Sequence, residues 1–545
     1  MVTENERFVW QFFSSQSHLK PYPFNFTPER KPNTVRIFIL GESAALGTPE
    51  PAFGFGRALD RILKHRYPDR PVEVINLAMR GINSHMIRVI ARECVQFDPS
   101  LVVFYGGNNE WVGWQAPGPD SSGTQSLAWI RFQQFLRASK SGQFIRSLVS
   151  SFRGNIETKQ DMAFFHDHRL HPDDPRREGV LNRYSENLKD TFDALTESNV
   201  PVLVGSVVVN ERDCPPLGSL HPFGMSDDAR SDFDAIWNQA LNAEARDDLI
   251  SAINFLKKAM EIDARFAKLH FRLARLYERT EDLTSSRFHY RQAKDCDALP
   301  FRASSAINVT LKQAVESVAS TSIHFVDLES YLRNHPSSMN QVPGGAFFYE
   351  HVHFRFNGDY TMASYLFPHI QQILNLPRME PGEESVRLLE LVDCAKELGY
   401  NPVLEAMMIQ SMIQLQKGPP FLDQVDHSAQ MEAMEKNFQQ RFGGFGSAHF
   451  QGAINWIKDA MESHPQDWNL PFLAARIAAR LKDFENAIAL TTVARDLMPH
   501  ASLIRMTLVH YLVQAGQVDL ARTELEHVLK LYPEHQEALA ALSAL

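Results

Sequence analysis

The chain has 545 residues, too many for one hydrophobic core, so about two to four domains are expected. It is 44% hydrophobic and 22% charged with a formal net charge of −10, which excludes the concentrated basic surface of a nucleic-acid binder. Four scattered cysteines, Cys94, Cys214, Cys296 and Cys394, form no C-x-x-C pair and suggest neither a zinc site nor a disulfide framework.

Residues 1–34 read as an N-terminal extension without the basic and apolar regions of a signal peptide. From Val35 the pattern turns α/β. VRIFIL (Val35–Leu40) precedes GESAALG and the helical GFGRALDRILKHRY. VEVINLA (Val72–Ala78), a helix around Ser84–Phe97 and LVVFYGG (Leu101–Gly107) follow, then PVLVGSVVV (Pro201–Val209) and IHFVDL (Ile323–Leu328). Five short runs that are apolar on both alternations, separated by helices, predict a doubly wound parallel sheet. Arg153–Arg177, rich in His, Asp and Pro, reads as a loop or lid. No apolar run approaches the roughly 18 residues that cross a bilayer.

Between the fourth and fifth strands a helical stretch repeats. Ala252 and Ser286, Ala259 and Ala293, and Asp263 and Asp297 are each 34 residues apart. The same period relates Ala453, Ala487 and Ala521, then Pro465, Pro499 and Pro533, then Ala460, Ala494 and Val528. Small residues where paired helices touch, with a proline closing each unit, resemble the tetratricopeptide (TPR) repeat. The expected organisation is a first α/β part at 35–234, a TPR-like helical insert at 235–306, a second α/β part at 307–378, and C-terminal helical repeats at 385–545.

Four segments carry candidate chemistry. Ser43 follows the first strand at the sheet edge where such folds bind ligands; alone, it reads more simply as a helix cap. Gly81 follows the second strand, and Asn108, Asn109 and Glu110 follow the third; a glycine N–H and an asparagine amide are donors that an oxyanion hole uses. Far downstream, FFYEHVHF sets Glu350 three residues before His353. A carboxylate there can hold the Nδ1 proton and free Nε2 to deprotonate a serine. His351 lies one residue after Glu350 and is expected to point the other way.

In this order the four segments resemble the SGNH/GDSL hydrolases: LGESAALG, NLAMRGINS, GGNNE and EHVHF look like their four blocks. The resemblance implies an SGNH hydrolase (flavodoxin-like) fold, with Ser43 as nucleophile, His353 as base, Glu350 as its orienting acid, and Ser43 N–H, Gly81 N–H and the Asn109 amide as oxyanion hole. A one-residue slip would select Asn108 instead. The first block has Glu42, and the last Glu350, where Asp is usual. KPNTVRIFILGESAALGTPEPAFGFGR, HFRLARLYE and DALPFRASSAIN point more narrowly to a bacterial group of SGNH proteins carrying TPR repeats. As written the chain reads as soluble, or as a fragment of a membrane-anchored extracytoplasmic protein of that group.

Other candidates read as structural. His166, His168 and His171 near Asp167, Asp173 and Asp174 read as a solvated loop rather than a metal site. Cys214 reads as a buried small residue and His85 as a helix-start residue. Phe53, Phe55, Trp111 and Trp114 divide between core and an acyl or sugar pocket. The enzymatic expectation is a serine ester hydrolase acting through an acyl-enzyme on a small or carbohydrate-linked ester, without cofactor or metal. The alternative is a TPR scaffold or polysaccharide-assembly factor with an O-acyltransferase or inactive SGNH domain. Either way the repeats are expected to bind a protein partner, and deletion from about Ser385 to leave small-ester turnover intact.

Overall fold

A computed structural model describes residues 1–13, 19–116, 126–138, 169–377 and 388–545. Two short strands, β1 (Val2–Thr3) and β2 (Asn25–Phe26), pair antiparallel near the N-terminus. The main sheet is five parallel strands: β3 (Val35–Gly41), β4 (Val72–Asn76), β5 (Leu101–Tyr105), β6 (Val202–Gly205) and β7 (Ile323–Val326). Their order β4-β3-β5-β6-β7 places the first strand of the sheet between the second and third. All five stand at the expected runs. Four of the quoted runs continue past the last residue of their strand.

The sheet is covered on both faces. Helices α2 (Phe55–Arg66) and α12 (Phe356–Ile373) pack together on one side, while α3 (Ser84–Cys94), α5 (Arg176–Glu197) and α10 (Ser305–Ser317) pack together on the other. The short α1 (Ser43–Leu46) begins at the end of β3, α4 (Leu127–Ala138) lies beside the N-terminal segment, and α11 (Leu328–Arg333) follows β7. Gly41, ending β3, admits no side chain: a Cβ there would lie 2.1 Å from the Tyr105 carbonyl oxygen.

By residue number the protein is mainly helical. Between β6 and β7 come two helical hairpins, α6 (Asp227–Ala245) on α7 (Leu249–Ile262) and α8 (Ala267–Arg279) on α9 (Leu283–Asp295). After α13 (Leu391–Glu397), α14 (Pro402–Gln416) and α15 (His427–Phe442), six helices stack in succession: α16 (Ser447–Ser463), α17 (Asn469–Arg480), α18 (Phe484–Leu497), α19 (Ser502–Gln514), α20 (Val518–Leu531) and α21 (Gln536–Ala544).

The 34-residue period is a packing period. Ala252, Ala259, Ala293, Ala487, Ala494 and Ala521 are all buried, at 1% exposure or less. The turns repeat as well: Asp247 and Glu281 have positive φ, and Asp248 and Asp282 then cap α7 and α9. Lys482 and Gly516 hold the same conformation in the C-terminal region. An alanine between two helices lets their backbones approach, so a larger side chain forces them apart. Ala487→Leu is expected to cost about 1–3 kcal/mol, read from chemical denaturation.

The C-terminal helices are not a free arm. One continuous hydrophobic core runs from Phe8 through the sheet to Tyr511. Asp467 sits between Arg57 and Arg61 of α2, Arg476 pairs with Glu50, and the Tyr22 hydroxyl donates to Asn469 at 2.7 Å. The N-terminal residues expected to form an extension instead bury Phe8, Val9 and Phe12.

Candidate active site

Ser43 is the first residue of α1, carried there by the sharp exit of β3, and is half-buried. His353 lies 310 residues later in a tight turn closed by the Phe348–Phe354 bridge and by Tyr349 N–H donating to the His353 carbonyl at 2.9 Å. Its Nε2 is 2.8 Å from Ser43 Oγ, and its Nδ1 is paired with Glu350. Burial alone would raise the Glu350 carboxyl, but His351 and His353 beside it hold it well below its usual range. A carboxylate is acceptor-only, so Nδ1 carries the proton and Nε2 is left to accept from the serine hydroxyl.

Glu350 does more than orient one ring. Its two oxygens also accept the backbone N–H groups of His351, Val352 and His353, so the carboxylate shapes the turn that presents His353. Here one expectation is corrected: His351 does not point away. The backbone is tightly turned rather than extended, and the His351 ring, buried between Phe301 and Phe421, approaches the other Glu350 oxygen. Among the described residues, Glu350, His351 and His353 form a group whose ligand atoms lie within 4.8 Å of one another.

The turns after β4 and β5 are stitched to the serine turn. Asn76 Nδ2 donates to the Ala45 carbonyl at 2.8 Å, and Met79 N–H to the Gly41 carbonyl at 3.3 Å, which brings Gly81 (φ 69°) to this edge. Glu42 accepts the N–H groups of Gly107, Asn108 and Asn109 at 3.1, 2.8 and 3.2 Å. The departure from Asp thus has a use, since the longer side chain spans from the end of β3 to the β5 turn. The two asparagines face different neighbours. Asn108 is buried and its Oδ1 accepts from Ala303 N–H at 3.0 Å, whereas half-buried Asn109 donates one Nδ2 proton to the Ile82 carbonyl at 2.8 Å.

Glu110, next in that turn, is buried and accepts both Ser84 N–H (2.7 Å) and Ser84 Oγ–H (2.8 Å). Burial pushes its carboxyl up to about 7, and burial together with Glu110 pushes Glu42 well above its usual range. The raised group binds a proton in the folded state that the unfolded chain releases above about 4.3. Its stabilisation is therefore present at acid pH and is lost as pH rises toward 7. Glu110→Gln is expected to melt progressively higher than wild type as pH goes from 5 to 8.

Several positioning residues escaped the motif search. Asn210, just beyond β6, donates its side chain to the Glu350 carbonyl at 2.7 Å and its N–H to the His351 carbonyl at 3.0 Å. Arg302, fully buried, donates to the Asn210 and Cys214 carbonyls and pairs with Asp297 at 3.2 Å. The signal was a polar residue ending an apolar run, which the sequence offers at many turns. The segment after residue 388 also reaches the site, with Phe421 beside His351 and Tyr400 stacked on Phe356 at 4.4 Å. Deletion from Ser385 would therefore remove part of the wall behind the histidine turn.

Of the rival candidates, His166, Asp167 and His168 fall outside the described residues. Asp173 pairs with Arg265 and Asp174 with Arg176. The Cys214 thiol is pushed up to about 11 by burial, which leaves it protonated and unreactive at neutral pH. His85, the second residue of α3, packs edge-on against Trp114 and is pushed down to about 3 by burial. Phe53, Phe55, Trp111 and Trp114 are all buried, so none of the four is an open pocket wall.

No protein-family model matches the chain, and no curated protein matches it. Among solved structures, it is similar to YrrB, a TPR protein with an unusual peptide-binding site, at 12% identity over 56% of this chain and 90% of that one (TM-score 0.18). It is similar to the TPR domain of P58(IPK) at 13% identity over 57% and 64% (TM-score 0.18). A tetratricopeptide repeat protein from Parabacteroides merdae matches at 12% identity over 57% and 98% (TM-score 0.18).

Proposed function

We propose that the chain is a TPR-type scaffold for a protein partner that also carries a serine ester hydrolase of the SGNH type. The scaffold reading rests on more of the chain: hairpins with buried alanines at one period occupy both the insert and the C-terminal region. The hydrolase reading rests on one observation, the 2.8 Å approach of His353 Nε2 to Ser43 Oγ with Glu350 behind it.

In that reading Ser43 Oγ attacks the carbonyl carbon of an ester while His353 takes its proton. The N–H groups of Ser43 and Gly81 and the Asn109 amide stabilise the oxyanion. The alcohol leaves with the proton from His353, and water activated by the same ring releases the acid from the acyl-enzyme. An O-acyltransferase would give the acyl group to a sugar hydroxyl instead. The test is labelling of the full chain by a fluorophosphonate, followed by a screen of short-chain and sugar esters. Labelling at Ser43 with turnover of an ester supports the hydrolase; a wild-type chain that takes no label leaves the scaffold reading alone.

A further inference from the structure

The turn that carries Gly81 rests on a side chain from near the N-terminus. Gly81 lies in the left-handed region, with φ 69°. Among the described residues, a Cβ built on it would meet the two Leu19 methyl carbons first, at 3.2 and 3.3 Å. Backbone carbonyls fix the turn on either side: Met79 N–H donates to the Gly41 carbonyl at 3.3 Å, and the Ile82 carbonyl accepts from Asn109 Nδ2 at 2.8 Å. Between them stands a glycine, the residue with the widest choice of φ and ψ, and half-buried Leu19 is the wall against it. Phe12 supports the neighbouring turn. It packs edge-on against Trp114 at 5.2 Å, and the Trp114 carbonyl accepts from Asn83 Nδ2 at 2.9 Å.

Leu19 is in turn fastened to the C-terminal repeats. The next residue, Lys20, pairs with Glu6 at 3.1 Å and meets His535, just before α21, at 2.7 Å. Tyr22 donates to Asn469 of α17 at 2.7 Å, and its ring lies 5.3 Å from that of Trp468. Asn25 donates to the Leu497 carbonyl at the end of α18, at 3.3 Å. Three residues of chain from Leu19 to Tyr22 span at most ~10 Å, so these anchors leave Leu19 little slack.

We propose, resting on the hydrolase reading above, that Leu19 is a positioning residue. It keeps the Gly81 N–H aimed at the point where the oxyanion forms, and the repeats keep Leu19 in place. A preorganised donor acts on the transition state rather than on the bound ester. Loosening its turn therefore lowers kcat and leaves KM unchanged.

The experiment follows the full chain by the rate of fluorophosphonate labelling at Ser43 and by kcat and KM for p-nitrophenyl acetate. Leu19→Ala is expected to slow labelling and lower kcat about tenfold, with KM unchanged and the chain folded at the assay temperature. Leu19→Met, which refills the space, should restore most of the loss. Tyr22→Phe removes only the bond to Asn469; it should lower kcat less, in the same direction, and serves if Leu19→Ala misfolds. Wild-type kcat in both Leu19→Ala and Tyr22→Phe overturns the proposal while leaving the labelled serine in place. A raised KM at unchanged kcat overturns it too, since Leu19 then touches the ester and not the turn. A wild-type chain that takes no label overturns the hydrolase reading itself, and this positioning role with it.

Discussion

Ser43→Ala is expected to abolish fluorophosphonate labelling and to lower turnover of any ester the chain hydrolyses by at least about 10⁴-fold. His353→Ala should do the same, because the hydroxyl then has no base within reach. Glu350 needs two variants to be read. Glu350→Gln keeps the shape but no longer fixes the Nδ1 tautomer, and should leave more activity than either other loss. Glu350→Ala also strips three backbone N–H groups and the His353 ring of their shared acceptor, so its melting temperature should fall as well. Wild type and Ser43→Ala that label equally would remove the nucleophile from the argument.

The second large effect lies far from the serine. Asp467 is nearly buried between Arg57 and Arg61, where burial would raise its carboxyl but the two guanidinium groups hold it well below the usual range. Asp467→Ala leaves the Arg61 side chain, 4% exposed, without its strongest partner. Breaking one side of a buried ion pair costs about 3–5 kcal/mol, so urea denaturation should show the whole chain destabilised, not only the repeats. The cause is the shared core: α2 is held by α12 on one side and by the segment before α17 on the other. A variant whose α/β part unfolds at the wild-type midpoint while the C-terminal helices melt separately would show the two regions to be independent.

Both prominent features of the fold were written in local patterns. Apolar runs bounded by turn residues mark the five strands, and alanines at a fixed period mark the helix pairs, because each signal belongs to a single element or its neighbour. Ser43, Glu350 and His353 were singled out not by any one segment but by the order in which four segments resemble the SGNH blocks. What joins the regions was not legible. Asn210 and Arg302 act on backbone carbonyls brought close only by the fold, and a lone polar residue has no period. His351 was misplaced for a related reason: side-chain alternation holds for extended backbone, and the Glu350 carboxylate folds that segment back on itself. The covering of the site by Tyr400 and Phe421 depends on helices packed from a region that reads by itself as an ordinary bundle.

The first and last segments of the chain grip each other. Arg7 pairs with Glu534 at 2.7 Å, Glu4 with His500 at 3.0 Å, and Lys20 meets His535 at 2.7 Å. On a ribosome making about 5–20 residues each second, the opening residues wait roughly half a minute or more for those partners to emerge. Until then Glu4, Arg7 and Lys20 lack those partners, while Phe12 already has Trp114 to pack against. Chains arrested before residue 500 should therefore leave the segment around Glu4, Arg7 and Lys20 more open to a protease than chains that extend past residue 535.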